Sequence, residues 1–261
     1  FLSREEIATK LLGFFEEDRD EIFEDQRLYA VLDILERDVV LYDLLLTLYS
    51  EGVLGFYDTE DQKLFVVQET DEFDPSQERT YVHEIVHHLQ QQNFDTHATM
   101  ETLRDNSDAA RAFSAIVEGD AMLAELVYVL QHMTEEEREA SQGEVSDALV
   151  DAFFSVPRVI QRAYAFPYQE GAQFALSLYR EEGWDAVNRA FEEIPQSTEQ
   201  ILHPERYAAG DEPQTVEVPD LVEALGEGWS VLTEDTLGEL FFQAYLEGSL
   251  STDVAAVAAL R

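Results

Sequence analysis

A mainly α-helical fold with one small β-hairpin, an α+β arrangement, is predicted from three features of the sequence. Apolar residues recur every three to four positions over long stretches, as on the buried face of a helix. Period-two alternation is confined to short runs, the clearest of them on either side of a polar Asp58-Thr59-Glu60-Asp61 turn. Proline and glycine punctuate the periodic stretches. A chain of 261 residues that is 45% hydrophobic can bury a sizeable core, as one large domain or as two lobes.

Ser3 to about Asp18 reads as the first helix, with Ile7, Leu11, Leu12, Phe14 and Phe15 on its apolar side. A longer helix is expected from Ile22 to Tyr49. Leu28, Val31, Leu32, Leu35, Val39, Tyr42, Leu46 and Tyr49 give it a wide apolar face, and Gly52 ends it. Val53 to Tyr57 and Leu64 to Val67 read as strands. Their edge would pack against the next helix or pair with an extended peptide. That helix begins at Asp74: the carboxylate caps, Pro75 suits the first turn, and Gln77 completes an Asp-x-x-Gln capping box. Val82, Ile85, Val86 and Leu89 would form its buried stripe. Asn93 to Asn106 reads as a polar loop. Ser107 to Met133 is a strong helix with Phe113, Ile116, Val117, Ala121, Ala124, Val127 and Leu130 as its core face.

Helices follow near Val145 to Ser155, Arg158 to Ala165, Tyr168 to Glu181 and Trp184 to Phe191, with Pro157, Pro167 and Pro195 between or after them. Pro195 to Tyr207 is polar and rich in reactive side chains. Gln214 to Val218 and Ser230 to Leu232 read as short strands. Helices near Asp220 to Leu225, Asp235 to Leu246 and Asp253 to Leu260 close the chain. A Ser-Gln-Gly stretch near residue 142 divides it into 1–142, with the hairpin, and a mostly helical 143–261.

The charge balance excludes several functions. The chain has 56 acidic and 16 basic residues, a formal net charge of −40, and two lysines, Lys10 and Lys63. Nucleic acid and anionic membrane surfaces both need a basic face, so neither is an expected partner. So large a charge opposes compaction unless salt screens it, which points to a halophile. No apolar run is long enough for a transmembrane span. Phe1 stands where an initiator Met would, so the chain reads as processed; loss of a targeting segment would suit an extracellular or cell-surface protein. There is no cysteine, so any metal must be held by His, Asp or Glu.

Such a site is written in His83-Glu84-Ile85-Val86-His87, an H-E-x-x-H sequence. On a helix, residues four apart share a face, so both imidazoles can reach one zinc ion while Glu84 stands beside the open position as general base. His88 adjoins the pair but points elsewhere on the helix. Hydrolytic zinc sites take three protein ligands and a water. The third ligand is not a histidine six residues on, because the positions H-x-x-G-x-x-H requires hold Gln90 and Asn93. Glu118, on the next strong helix and followed by Gly119 and Ala121, is the leading candidate for a one-zinc site. Asp120, Glu125 and Glu101 are its rivals. A mid-helix glycine costs about 1 kcal/mol relative to alanine and is tolerated where something approaches closely.

His83-Glu84-x-x-His87 followed by Glu118-Gly-x-Ala121 resembles the gluzincin zinc metallopeptidases, in which the third ligand is a glutamate on a second helix. The wider chain is similar to bacterial and archaeal proteins of this peptidase class. The similarity rests on Gly55-Phe56-Tyr57-Asp58 ahead of the zinc helix and on the Ser197-Thr-Glu-Gln-x-Leu-His-Pro-Glu-x-Tyr207 segment. The resemblance implies a zincin-like lobe followed by a helical lobe, a single Zn2+ ion and a peptide or protein substrate. It also implies a downstream His or Tyr that stabilises the tetrahedral oxyanion. His203 is the first choice for that role, ahead of Tyr164, Tyr168 and Tyr207. Two other readings compete: a zinc-binding or structural protein of the same fold without catalysis, and a ferritin-like di-iron protein. The latter requires a second Glu-x-x-His, and no other histidine has a glutamate three positions before it.

Overall fold

The computed structural model describes residues 1–58, 62–68, 73–142, 145–214, 216 and 218–260. The fold is mainly helical with a two-stranded antiparallel sheet. In order the elements are α1 (Arg4–Glu17), α2 (Arg19–Val31), α3 (Leu41–Gly52), β1 (Gly55–Asp58), β2 (Lys63–Val66), α4 (Pro75–Phe94), α5 (Thr96–Thr102), α6 (Ser107–His132), α7 (Glu135–Ala140) and α8 (Asp147–Ser155). They continue with α9 (Arg158–Glu182), α10 (Trp184–Glu192), α11 (Thr198–Leu202), α12 (Pro204–Ala209), α13 (Leu221–Leu225), α14 (Gly238–Glu247) and α15 (Thr252–Ala259). None of the described helices is long and apolar enough to cross a membrane.

The long contact of α6 with α9 is the spine of the molecule. It brings backbones together: a Cβ added at Gly119 would collide with the Gly171 carbonyl, and one at Gly171 would collide with the carbonyl of Ala115. Around this spine Phe113, Ile116, Phe166, Phe174, Val187 and Leu240 form one core. A second core, of Tyr29, Leu41, Leu48, Ile160, Phe241 and neighbours, ties α2, α3 and α8 to the start of α9 and to α14. Both cores draw residues from either side of the boundary set near residue 142.

Several expectations are corrected. The helix expected over 22–49 is two helices. α2 stops at Val31, Asp33 takes a left-handed conformation (φ 55°), and α3 restarts at Leu41. The connecting residues Leu32, Ile34, Leu35 and Val39 are themselves packed into the second core, so their apolar spacing mimics a continuing helix. Residues 96–102 of the expected loop form α5. Pro167 does not interrupt α9. It forgoes the hydrogen bond to Ala163, and both residues lie at the wall of a cavity. The described residues of 214–218, and all of 230–232, form no strand, and their apolar side chains, such as Val216 and Val231, are exposed. Thr215 and Glu217 lie outside the described residues, as do residues 59–61 of the expected hairpin turn.

β1 and β2 pair Gly55 with Val66 and Asp58 with Lys63. The end of β2's free edge is taken by the chain itself: Leu2 N–H donates to Val66 O (3.1 Å) and Gln68 N–H to Leu2 O (2.8 Å). β1 lies against α4 so closely that a Cβ at residue 55 would stand 2.9 Å from Thr80 Cγ2 and 3.1 Å from Glu84 Cγ. Gly55 is therefore what allows the hairpin to seat on the helix that carries the histidines.

Candidate metal centre

Local sequence builds α4 as expected. Asp74 Oδ1 accepts from Gln77 N–H (2.9 Å), Gln77 Oε1 accepts from Asp74 N–H (3.1 Å), and Pro75 occupies the first turn. The inward face is not the apolar stripe, however. Leu89 is 48% exposed, whereas Glu84 and Gln90 are 5% and 2% exposed. The helix turns its polar face inward because that face meets a second polar face on α6.

The two faces bring His83, His87 and Glu118 together. His83 Nε2 lies 3.2 Å from Glu118 Oε2, His87 Nε2 lies 3.5 Å from the same oxygen, and the two Nε2 atoms are 3.1 Å apart. Tetrahedral coordination with bonds of roughly 2.0–2.1 Å separates neighbouring ligand atoms by about 3.3–3.4 Å. The triangle therefore has the dimensions of one face of a zinc site, and the three residues form a group able to hold an ion. Its electrostatics also suit a cation. Burial pulls His83 down, but the Glu118 and Glu125 carboxylates outweigh it and raise the ring to about 10. Burial pushes Glu118 up, yet the two histidines hold it down at about 2.

Each imidazole is oriented through its far nitrogen. His83 Nδ1 lies 3.1 Å from Glu125 Oε2, and Glu125 is held from its other side by Arg79. His87 Nδ1 lies 2.9 Å from Gln90 Oε1; the Gln90 amide then donates to Val117 O (2.9 Å) and to Asp120 Oδ2 (2.8 Å). Such partners fix the ring plane and leave Nε2 for a metal. Glu125 and Asp120, rivals for the third ligand in the sequence, instead stand behind the two histidines, Glu125 directly and Asp120 through Gln90. Glu101 pairs with Arg104 at the surface. Gln90 was missed as a functional residue. Its position three residues after His87, on the same helical face, is the signal that marks it.

Glu84 is buried, its Oε2 has no hydrogen-bond partner among the described residues, and burial pushes it up to about 7. His88 faces the hairpin, its Nδ1 2.9 Å from Tyr57 Oη, which accounts for the tyrosine of the Gly-Phe-Tyr-Asp strand.

His203 is not brought to this group. Its Nε2 lies 3.0 Å from Glu239 Oε1 on α14, and among the described residues no contact joins it to the triad. The segment around it is a structural clamp. Thr198 Oγ1 donates to Asp108 Oδ1 (2.5 Å), Thr198 N–H donates to Asp108 Oδ2 (3.1 Å), and Thr198 Oγ1 accepts from Leu240 N–H (3.1 Å). This locks α11 and α14 to the start of α6. Tyr207 is also turned away, donating to Glu193 O (2.7 Å). Tyr164 and Tyr168 do approach. They line a cavity of about 390 Å³ beside Glu118, bounded by α2, α3, α6 and α9. Glu118's charge is the first reason that the Tyr168 hydroxyl is held well above its ordinary pKa. Tyr168 as a residue is 41% exposed.

No family model, curated protein or solved structure matches the chain.

Proposed function

We propose that the chain is a zinc-dependent metallopeptidase, with His83, His87 and Glu118 as ligands and Glu84 as general base. The reading is carried by the convergence of two Nε2 atoms and one carboxylate oxygen beside a buried glutamate with an oxygen that is unpartnered among the described residues. Zinc held there would polarise a scissile carbonyl and lower the pKa of the attacking water. The chain's own groups do the rest. Glu84 follows His83 by one helical step of about 100°, so it stands beside the ligands rather than among them. It takes the proton of the attacking water and returns it to the leaving amine. Tyr168, which lines the cavity beside Glu118, takes the role of donor to the developing oxyanion in place of His203. The cavity beside Glu118 receives the peptide on one side of the scissile bond.

The test measures bound metal and cleavage of unfolded protein substrates in molar salt. The parent is expected to carry one zinc per chain and to cleave. Glu84→Gln keeps size but removes the base, so it should fold, retain zinc and lose roughly 10²- to 10⁴-fold in rate. Equal cleavage by parent and variant at equal zinc content would overturn the mechanism. Stoichiometric zinc with no cleavage would favour a zinc-binding protein of the same fold.

A further inference from the structure

The cavity beside Glu118 contains a cation that the metal reading does not use. Arg111, Ser114 and Glu118 follow one another on one face of α6 and all line it. Among the described residues Arg111 Nη1 is buried with no hydrogen-bond partner. In a chain of net charge −40, acidic groups to pair with it are abundant. Asp25, across the cavity on α2, is near enough to feel the guanidinium charge, yet the two form no hydrogen bond. The fork is therefore held in the wall of a cavity without being tied down by the protein. Leaving a buried charged donor unmade is costly, and arginine matches a carboxylate through two parallel hydrogen bonds. The rest of the lining suits the same ligand. Tyr49, Tyr164 and Tyr168 offer hydroxyl donors, and Leu45 and Ile160 offer apolar walls.

Distance sets which part of a substrate reaches the guanidinium. Arg111 and Glu118 are two helical turns apart, about 10 Å of rise. Helical side chains lean toward the N-terminus, so Arg111 does not close this gap toward Glu118, and a short extended stretch of substrate at about 3.3–3.6 Å per residue, or a substrate side chain, fills it. We propose, on the basis of the metallopeptidase reading, that this cavity takes a substrate carboxylate. Arg111 would be the residue that selects a peptide carrying that group on the cavity side of the scissile bond. The carboxylate is either the free C-terminus or an Asp or Glu side chain.

The test compares three short N-acetylated peptides of one backbone: a free C-terminal acid with neutral side chains, the matching C-terminal amide, and an amide with Glu after the scissile position. Binding is measured by calorimetry on full-length Glu84→Gln protein, with and without zinc. One of the two acids should bind about 10- to 100-fold more tightly than the neutral amide. The free acid winning makes the chain a carboxypeptidase in specificity; the Glu amide winning makes it selective for acidic side chains. Arg111→Gln should erase the preference at unchanged zinc content, and Arg111→Lys, which keeps the charge, should retain part of it. Equal binding of acids and amide, no binding of any peptide at millimolar concentration, or a preference that survives Arg111→Gln would each overturn the proposal. A preference present in zinc-free protein and lost in Arg111→Gln upholds the carboxylate pocket even if the chain proves to bind no zinc, so the two readings fail separately.

Discussion

Replacing Gly119 by alanine sets two physical effects against each other, and their signs differ. Helix propensity alone favours alanine by about 1 kcal/mol in mid-helix. The packing opposes it, because the new methyl group would collide with the backbone carbonyl of Gly171 and crowd the Ala172 nitrogen. These are main-chain atoms of a second helix and cannot rotate aside, so α6 and α9 must part by about 1 Å. Overpacking of this kind costs about 1–3 kcal/mol, and a clash with rigid backbone belongs at the upper end. The expected net effect is destabilisation by about 2 kcal/mol, a fall in Tm of about 4–8 °C for a chain of this size. Glu118 is the neighbouring residue, so zinc retention should fall as the helices part. Circular dichroism melts in molar salt, with and without zinc, measure both effects. Gly171→Ala strikes the same contact from the other side, and the double variant should lose less than the sum of the single losses. A Gly119→Ala protein that melts at or above the parent would refute the close-contact account and leave propensity as the governing term.

Stability should rise with salt: screening shortens from about 10 Å at 0.1 M to about 3 Å at 1 M, and a Tm that is flat or falling across that range removes the halophile reading. Zinc affinity should climb as pH rises from 6 to 9. The facing carboxylates hold His83 protonated up to about 10, an interaction that stabilises the metal-free fold fully below the ordinary histidine range and is lost as pH rises through that value. Zinc must expel this proton, and calorimetry in buffers of different ionisation enthalpy should detect its release; a pH-independent affinity without proton release contradicts the assignment. Glu125→Gln keeps the shape beside His83 Nδ1 but removes the charge, and zinc affinity should drop about 10- to 100-fold, as read by competition with a chelator. An unchanged affinity would mean that Glu125 only anchors Arg79.

What the sequence disclosed of this site was local. The Asp74–Gln77 box, the helix it starts and the four-residue spacing of the histidines are set within a few positions of one another, so they are readable from a short window. Glu118 was reached because it lies on the next strong helix beside a glycine whose presence needed a reason, and that reason is Gly171. The Asp120 contact of Gln90 and the Asp108 contact of Thr198 lie on another helix, and the cavity that Arg111 lines is enclosed by several, so no local window contains them. Leu32 to Val39 misled for a related cause. Burial, not helicity, sets apolar spacing, and a buried connection carries the same marks as a buried helix.

If α4 and α6 grip one ion as proposed, the lifetime of the molecule depends on it. The chain has no cysteine, so no covalent bridge restrains its unfolded form. An ion held by His83 and Glu118 closes a loop of roughly 35 residues, and a cross-link of that span limits the unfolded chain by about 4 kcal/mol in the loop-entropy estimate. Loss of the ion would then loosen the crossing on which the ligands sit and expose the chain to digestion, including by neighbouring loaded copies. Metal scarcity would clear the protein from its surroundings as well as silence it.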